Sequence, residues 1–527
     1  MNRSTWIFLS ILGFAIILRL ILSLSWHGYW GVDGGASLLN VNYVLGNEPT
    51  GAGFPKPPLA PGFTLAPFVL TMGADIGYKV WSALFGVLPI IPLFLLTRRY
   101  VGEWPAVIAA LFASVDWFWG EMFVTGAHPL TAFALIGMAW YSIAAKADEQ
   151  NYKQWTRHDI IIPLSVGLIP WVNQTAAGLG MIVLPIYFLA LCWYKRALLL
   201  RVAVPCVLGG IMAISALPWY MQTLPGSDIL TYDGPIIYWA WGTNTIQALF
   251  IALPLGITVI WKAKDYRVRA LGVMLLTMAA LVPWLSYDEV LINPPYRARY
   301  LMALAFYPAM AWVVVNLWLP KIPAWLANKN DLPVSGSPGR PFLAKREWAY
   351  ISVAILAAFV YMFAAFIYVV RTQAATSAMV TPETAIALEG LRNGTLKGVG
   401  AKAGGDRAMA KTQGEGIATN SFTLSLWVAG LNRVRSPFLT TAPPPPYYRS
   451  SDQLLRCAFG WVPDCDGRNA ASTLGIRYIL VEERFPHYNK FAPGNYLAPD
   501  NQWEVTANAK WLKLVYSAGT TRLYEVN

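Results

Sequence analysis

The sequence predicts a mainly α, polytopic membrane protein, with about eleven transmembrane helices followed by a C-terminal extracytoplasmic α/β domain. Three observations carry that reading. The 527 residues are 56% hydrophobic and only 13% charged, too apolar and charge-poor for an ordinary soluble enzyme. Stretches near the roughly 20 apolar residues that a bilayer-spanning helix needs recur along the first two-thirds of the chain. Lys and Arg gather in alternate connections between those stretches.

Taken in order, the spans are expected near 5–25, 78–97, 104–119, 128–145, 160–173, 176–194, 200–218, 246–261, 268–286, 300–319 and 349–370. The first contains Arg19 and has no clear small-x-small exit, so it reads as a retained helix rather than a cleaved signal peptide. Eighteen Lys and Arg residues lie at Arg3 and in the connections near 98–99, 146–157, 195–201, 262–269 and 321–346. The opposite connections hold four: Lys56, Lys79, Arg297 and Arg299. That bias places the N-terminus in the cytoplasm, and an odd number of spans then places residues 371–527 outside the plasma membrane. Topology also accounts for most of the membrane domain's positive charge, so the net +12 is no sign of nucleic-acid binding.

Residues 1–370 form the expected membrane domain, interrupted by a polar, Pro/Gly-rich cytoplasmic loop at 320–348. Residues 371–527 form the expected extracytoplasmic domain. Within it, "TPETAIALEGLRNG" reads as a helix capped by Thr381 and stopped by Gly394. "LGIRYILVEE" reads as a strand, and "WLKLVYSAGTTRLYEV" as two β runs around a Ser-Ala-Gly turn. "TTAPPPPYYRS" at 440–450 reads as a stiff, extended loop. Four cysteines are too few for a disulfide scaffold. Cys457 and Cys465, in "CAFGWVPDC", fall where oxidation is permitted, so a disulfide and a pair of nearby thiols both fit.

The expected outer connections are acidic, with a few placed cations. Asp33, in "WGVDGGASLL", follows the first span directly. A carboxylate there suits a proton acceptor; it equally suits the cap of a helix over "GGASLLNVNYVLG". Lys56, in "FPKPPL", is held by neighbouring prolines and suits a phosphate or the lipid headgroups. Arg297 and Arg299, in "NPPYRARYL", break the charge rule at the start of a helix. They suit phosphate oxygens, lipid headgroups, or an ion pair with Asp288 or Glu289. The connection at 116–128 adds Asp116, Glu121 and His128. Glu121 and His128 are candidates for an acceptor or metal contact, without the HxxxH or HxH spacing of a metal site. The chain has no P-loop, dinucleotide glycine fingerprint, GxSxG or HExxH, which argues against an ATP-driven pump and the commonest hydrolases.

With the connections in place, the pattern resembles the GT-C superfamily of membrane glycosyltransferases, and within it the aminoarabinose and protein mannosyl transferase branch. "GVDGGASLL" is similar to that family's acid after the first helix, and Lys56-Pro57-Pro58-Leu59 to its first outer loop. "ALPWY" at 216–220 is similar to its Pro-Trp-Tyr, "RARYLMALAFYPAMAW" at 297–312 to its Arg-Tyr-Leu-leading helix, and "LGIRYILVEE" to its outer-domain strand. Pro55 and His128 stand where relatives often carry an acid.

The resemblance implies a GT-C fold and an outward-facing, inverting glycosyltransferase. Its donor would be a sugar on a polyprenyl (or dolichyl) phosphate, its acceptor a glycan, lipid or protein, and its setting the bilayer of the cell envelope. Asp33 would act as general base, with Lys56 and Arg297 or Arg299 on the departing phosphate. A divalent metal is left open. The competing readings are an enzyme that transfers a whole glycan and a non-catalytic subunit that keeps the fold.

Overall fold

The structure, a computed structural model, describes residues 3–31, 34–46, 59–148, 155–196, 198–218, 243–287, 298–319, 345–373, 380–393, 416–420, 422–432, 449–462, 464–482 and 502–527. Each of the eleven expected spans falls on a helix or a broken helix pair. The chain opens with α1 (Arg3–Leu24), α2 (Gly34–Val44), α3 (Ala60–Met72), α4 (Ala74–Phe85) and α5 (Ile90–Tyr100). There follow α6 (Glu103–Ser114), α7 (Trp117–Thr125), α8 (Ala127–Asp148), α9 (Arg157–Val172), α10 (Gln174–Tyr194) and α11 (Leu198–Ile214). The bundle is completed by α12 (Thr243–Lys262), α13 (Tyr266–Tyr287), α14 (Ala298–Val313) with a π-helical turn at Val314–Trp318, and α15 (Lys345–Gln373).

Among the described residues six helices are long and apolar enough to cross a membrane, or seven if the bent pair α6–α7 is one span. This is a membrane protein, and its described residues hold fewer such helices than the eleven expected. Length explains part of the difference. The 16 residues of α9 span about 24 Å at 1.5 Å per residue, short of the roughly 30 Å hydrocarbon core, and the 17 of α11 are little longer. The expected connection at 26–77 is not plain loop: it holds α2, which begins at the residue after Asp33, and α3.

The expected connection at 116–128 is also mostly helix, and Asp116 does not lie on an acidic outer face as expected. It is buried, capping α7 by accepting from the Trp119 backbone N–H at 2.9 Å. That cap sits at the 44° break between α6 and α7. A hydropathy window averages over such a break, because one polar residue among apolar neighbours changes the mean little.

The C-terminal part contains α16 (Pro382–Asn393), β1 (Gly416–Thr419), α17 (Phe422–Asn432), α18 (Arg449–Ala458), α19 (Gly467–Thr473), β2 (Ile476–Glu482), α20 (Gln502–Ala507), β3 (Leu512–Ala518) and β4 (Thr521–Val526). The strands form one sheet in the order β1-β2-β4-β3. β1 lies parallel to β2, and the expected hairpin appears as antiparallel β3–β4. Thr381 caps α16 as expected, accepting from the Thr384 backbone N–H at 3.2 Å. Cys457 and Cys465 form a disulfide. The polar loop at 320–348 and the proline run at 440–450 fall almost wholly outside the described residues.

The period of two along the strands divides the sheet's side chains between two cores. Ile417, Tyr478, Leu480 and Leu523 join the core of the helical bundle. Ala418, Ile479, Val481 and Tyr524 join a second core with Leu455, Cys457 and Phe459. The bundle and the C-terminal part therefore share buried apolar surface. Their tightest joint is α2 against α17. A Cβ on Gly34 would lie 2.2 Å from the Trp427 ring, and one on Gly430 would lie 2.6 Å from the Gly35 carbonyl oxygen. Only glycine permits this approach, which lets the Asn42 side-chain amide donate to the Gly430 carbonyl at 2.9 Å.

Candidate active site

Of the six residues singled out by the sequence, Asp33, Lys56 and Arg297 lie outside the described residues. Arg299, Glu121 and His128 lie within them.

Arg299 begins α14, and Glu121 sits mid-way along α7. The Arg299 Nη2 donates to both carboxylate oxygens of Glu121, at 2.6 and 2.7 Å, and to the Tyr300 hydroxyl at 2.6 Å. The guanidinium also lies over two rings, 4.7 Å from the centroid of Tyr300 and 5.6 Å from that of Phe118. Those faces contribute cation–π attraction. Among the described residues Arg299 pairs with Glu121, 178 positions away; Asp288 and Glu289, the partners the sequence offered, lie outside the described residues.

Two further ties join α7 to α14. The Trp119 indole N–H donates to the Tyr300 carbonyl at 3.0 Å, and the Tyr307 hydroxyl donates to the Asp116 carboxylate at 2.6 Å. Behind them lies Arg19, fully buried in α1. Its guanidinium donates to the Ser114 carbonyl at 3.1 Å, faces Phe123 and Phe366, and interacts electrostatically with Asp116. A buried charge inside a bundle is costly enough to require such partners.

The chain before Asp33 is anchored to α7 as well, and the chain after it packs on α17. The Trp30 indole N–H donates to the Phe123 carbonyl of α7 at 3.4 Å. Gly31 has a positive φ of 88°. A Cβ there would crowd the Tyr78 hydroxyl at 3.0 Å, so glycine is required on both counts. The Gly34 N–H returns to the Gly31 carbonyl at 3.4 Å. That carbonyl also receives the Trp427 indole N–H at 2.9 Å. Trp427 is fully buried, stacks on Tyr29 at 4.7 Å and meets Tyr78 edge-on at 5.8 Å. The preceding residues are clasped as well. The Trp26 indole N–H donates to the Val380 carbonyl at 3.0 Å, and the Tyr29 hydroxyl to Glu389 at 2.9 Å.

Lys79, one of the four charge-rule exceptions, is spent on structure. It pairs with Asp75 at 2.8 Å and donates to the Trp26 carbonyl at 2.7 Å. His128 is half-buried in the first turn of α8. Among the described residues no three His, Cys, Asp or Glu side chains gather closely enough to hold a metal ion.

Sequence reasoning missed Trp427 and the Arg19–Asp116–Tyr307 network. The network carried one signal, a charge inside an apolar span. Trp427 carried none, since an aromatic residue in "FTLSLWVAGLN" reads as ordinary helix core. Trp427→Phe keeps an aromatic ring but removes the hydrogen bond to Gly31. It is expected to cost about 1 kcal/mol of stability, because the Gly31 carbonyl loses that donor. Thermal unfolding of wild type and variant checks this; an unchanged midpoint would show that the hydrogen bond contributes nothing to the fold.

No family model matches the chain, and no curated protein does. Solved structures do. The archaeal oligosaccharyltransferase AglB from Archaeoglobus fulgidus, in complex with an inhibitory peptide and a dolichol-phosphate, matches with a TM-score of 0.59 and 12% identity over 99% of this chain and 74% of its own. ArnT from Cupriavidus metallidurans, bound to undecaprenyl phosphate, matches with a TM-score of 0.55 and 13% identity over 99% of this chain and 98% of its own. The arabinofuranosyltransferase AftD from Mycobacteria matches with a TM-score of 0.58 and 15% identity over the whole of this chain and 40% of its own.

Proposed function

Because this chain has the fold of the GT-C membrane glycosyltransferases, we propose that it moves a sugar from a polyprenyl (or dolichyl) phosphate onto an acceptor at the outer face of the membrane, with inversion. The N-terminus lies in the cytoplasm, the chain crosses the membrane about eleven times, and residues 371–527 cover the site from outside. The observation that carries the reading is Arg299, a guanidinium backed by two rings and paired with Glu121 of α7, the helix that also receives the Trp30 indole N–H three residues before Asp33. Two of the structural neighbours were solved with lipid phosphates, dolichol-phosphate and undecaprenyl phosphate.

The chemistry runs in one displacement. The Asp33 carboxylate takes the proton from the acceptor's nucleophilic hydroxyl or amine. The nucleophile forms the new bond to the anomeric carbon from the face opposite the phosphate. The anomeric C–O bond breaks, and the lipid phosphate leaves with the electron pair. Lys56 and Arg299, with Arg297, stabilise the negative charge it gains, so the leaving group needs little protonation. Attack from the opposite face inverts the anomeric centre.

The test is a donor panel. Purified protein in lipid nanodiscs is incubated with polyprenyl-phosphate monosaccharides and with lipid-linked oligosaccharides, and donor binding and sugar release are measured. Turnover of a monosaccharide donor supports this reading. Turnover of oligosaccharides alone replaces it with glycan transfer, and failure to bind any donor replaces it with a non-catalytic subunit.

A further inference from the structure

Arg299 already holds an anion. Its side chain is 11% exposed and that of Glu121 is 24% exposed, so the carboxylate is the more open member of the pair. A carboxylate and a phosphate offer a guanidinium the same arrangement of acceptor oxygens. A lipid phosphate reaching Arg299 therefore meets Glu121 in the place it would take. Two anions at one cation repel each other strongly where rings exclude water on one side.

We propose that Glu121 is an exchangeable counter-ion: it yields Arg299 to the phosphate of the arriving donor and reclaims it to expel the phosphate of the product. The inference rests on the reading above, that Arg299 receives the lipid phosphate. Charge sets the direction of the exchange. The donor is a phosphodiester with one negative charge. The product is a phosphomonoester, which carries about −1.5 to −2 near neutral pH. A carboxylate close by penalises the product more than the donor, and so speeds release rather than blocking entry.

The frame suits a side-chain exchange with little backbone movement. Trp119 is bonded to the Tyr300 carbonyl and Asp116 to the Tyr307 hydroxyl, which holds α7 against α14 just before Glu121. The Phe118 and Tyr300 rings hold the guanidinium independently of Glu121. Glu121 is able to leave without Arg299 losing its seat.

The competing role, a strut that orients Arg299, has the opposite sign. Removing a strut weakens phosphate binding, whereas removing an exchangeable counter-ion strengthens it. The experiment measures the affinity of undecaprenyl phosphate for wild type, Glu121→Gln, Glu121→Asp and Arg299→Met, each checked for folding by gel filtration and thermal unfolding. Glu121→Gln is expected to bind about tenfold tighter, the order expected when one like charge is removed at close range. Glu121→Asp, with a shorter reach, is expected to bind tighter by a smaller factor and serves if the glutamine variant does not fold. Arg299→Met is expected to bind more weakly. Equal or weaker binding by the Glu121 variants, with weaker binding by Arg299→Met, overturns the exchange and keeps Arg299 as phosphate partner. Unchanged binding by Arg299→Met removes Arg299 from the donor site, and the exchange with it.

Discussion

Asp33→Asn is expected to lower kcat by about 10²–10⁴-fold, the contribution of a positioned general base, while donor affinity stays as in wild type. Asparagine matches aspartate in shape and caps a helix about as well. A residue whose whole task is to start α2 at Gly34 therefore loses nothing on this change. A base loses everything, because the amide accepts no proton at neutral pH. The substitution separates the two roles that sequence alone leaves open, which alanine would not, since alanine also forfeits the cap. The measurement is sugar transfer under saturating donor, beside donor binding on the same preparation. Wild-type turnover would end the base assignment; a parallel loss of donor binding would move Asp33 to a binding role.

Arg19→Met is expected to destabilise the protein by about 1–3 kcal/mol, the cost of leaving buried polar partners without a donor, with the lost attraction to Asp116 adding to it. Arg19 is fully buried and Asp116 is 5% exposed. Without the cation, Asp116 keeps the Tyr307 hydroxyl and the backbone N–H groups of Trp119 and Phe118, but no opposite charge. The Ser114 carbonyl loses a donor at the end of α6. The double variant Arg19→Met/Asp116→Asn is expected to recover part of the loss, because it leaves no charge uncompensated. Thermal unfolding in detergent across wild type, both single variants and the double variant measures the coupling. Additive losses would show that Arg19 and Asp116 act independently. The network matters to the site by its location: it ties α1, which leads toward Asp33, to α7 with Glu121 and to α14 with Arg299.

Much of the architecture was legible because it is local. Apolar runs marked helices wherever a span was expected. Thr381 announced the start of α16, and "WLKLVYSAGTTRLYEV" announced the β3–β4 hairpin. Each is a property of adjacent residues, governed by backbone hydrogen bonding and burial. The break at Asp116 was not legible, since a hydropathy window averages over a single polar residue inside an apolar run.

The site divides along the same line. The sequence by itself determined that this is a membrane protein, that apolar helices run where spans were expected, and that Arg299 is an unusual charge for its place. Only the tertiary structure decided the partners: Glu121 for Arg299, Ser114 and Asp116 for Arg19, and Trp427 for the turn beside Asp33. Those partners stand 178, 95 and 396 positions apart for Arg299–Glu121, Arg19–Ser114 and Trp427–Gly31. Periodicity tells which face of a helix is buried, but not which helix it is buried against. That choice depends on how close two helices approach, and here a few glycines such as Gly34 and Gly430 set the distance.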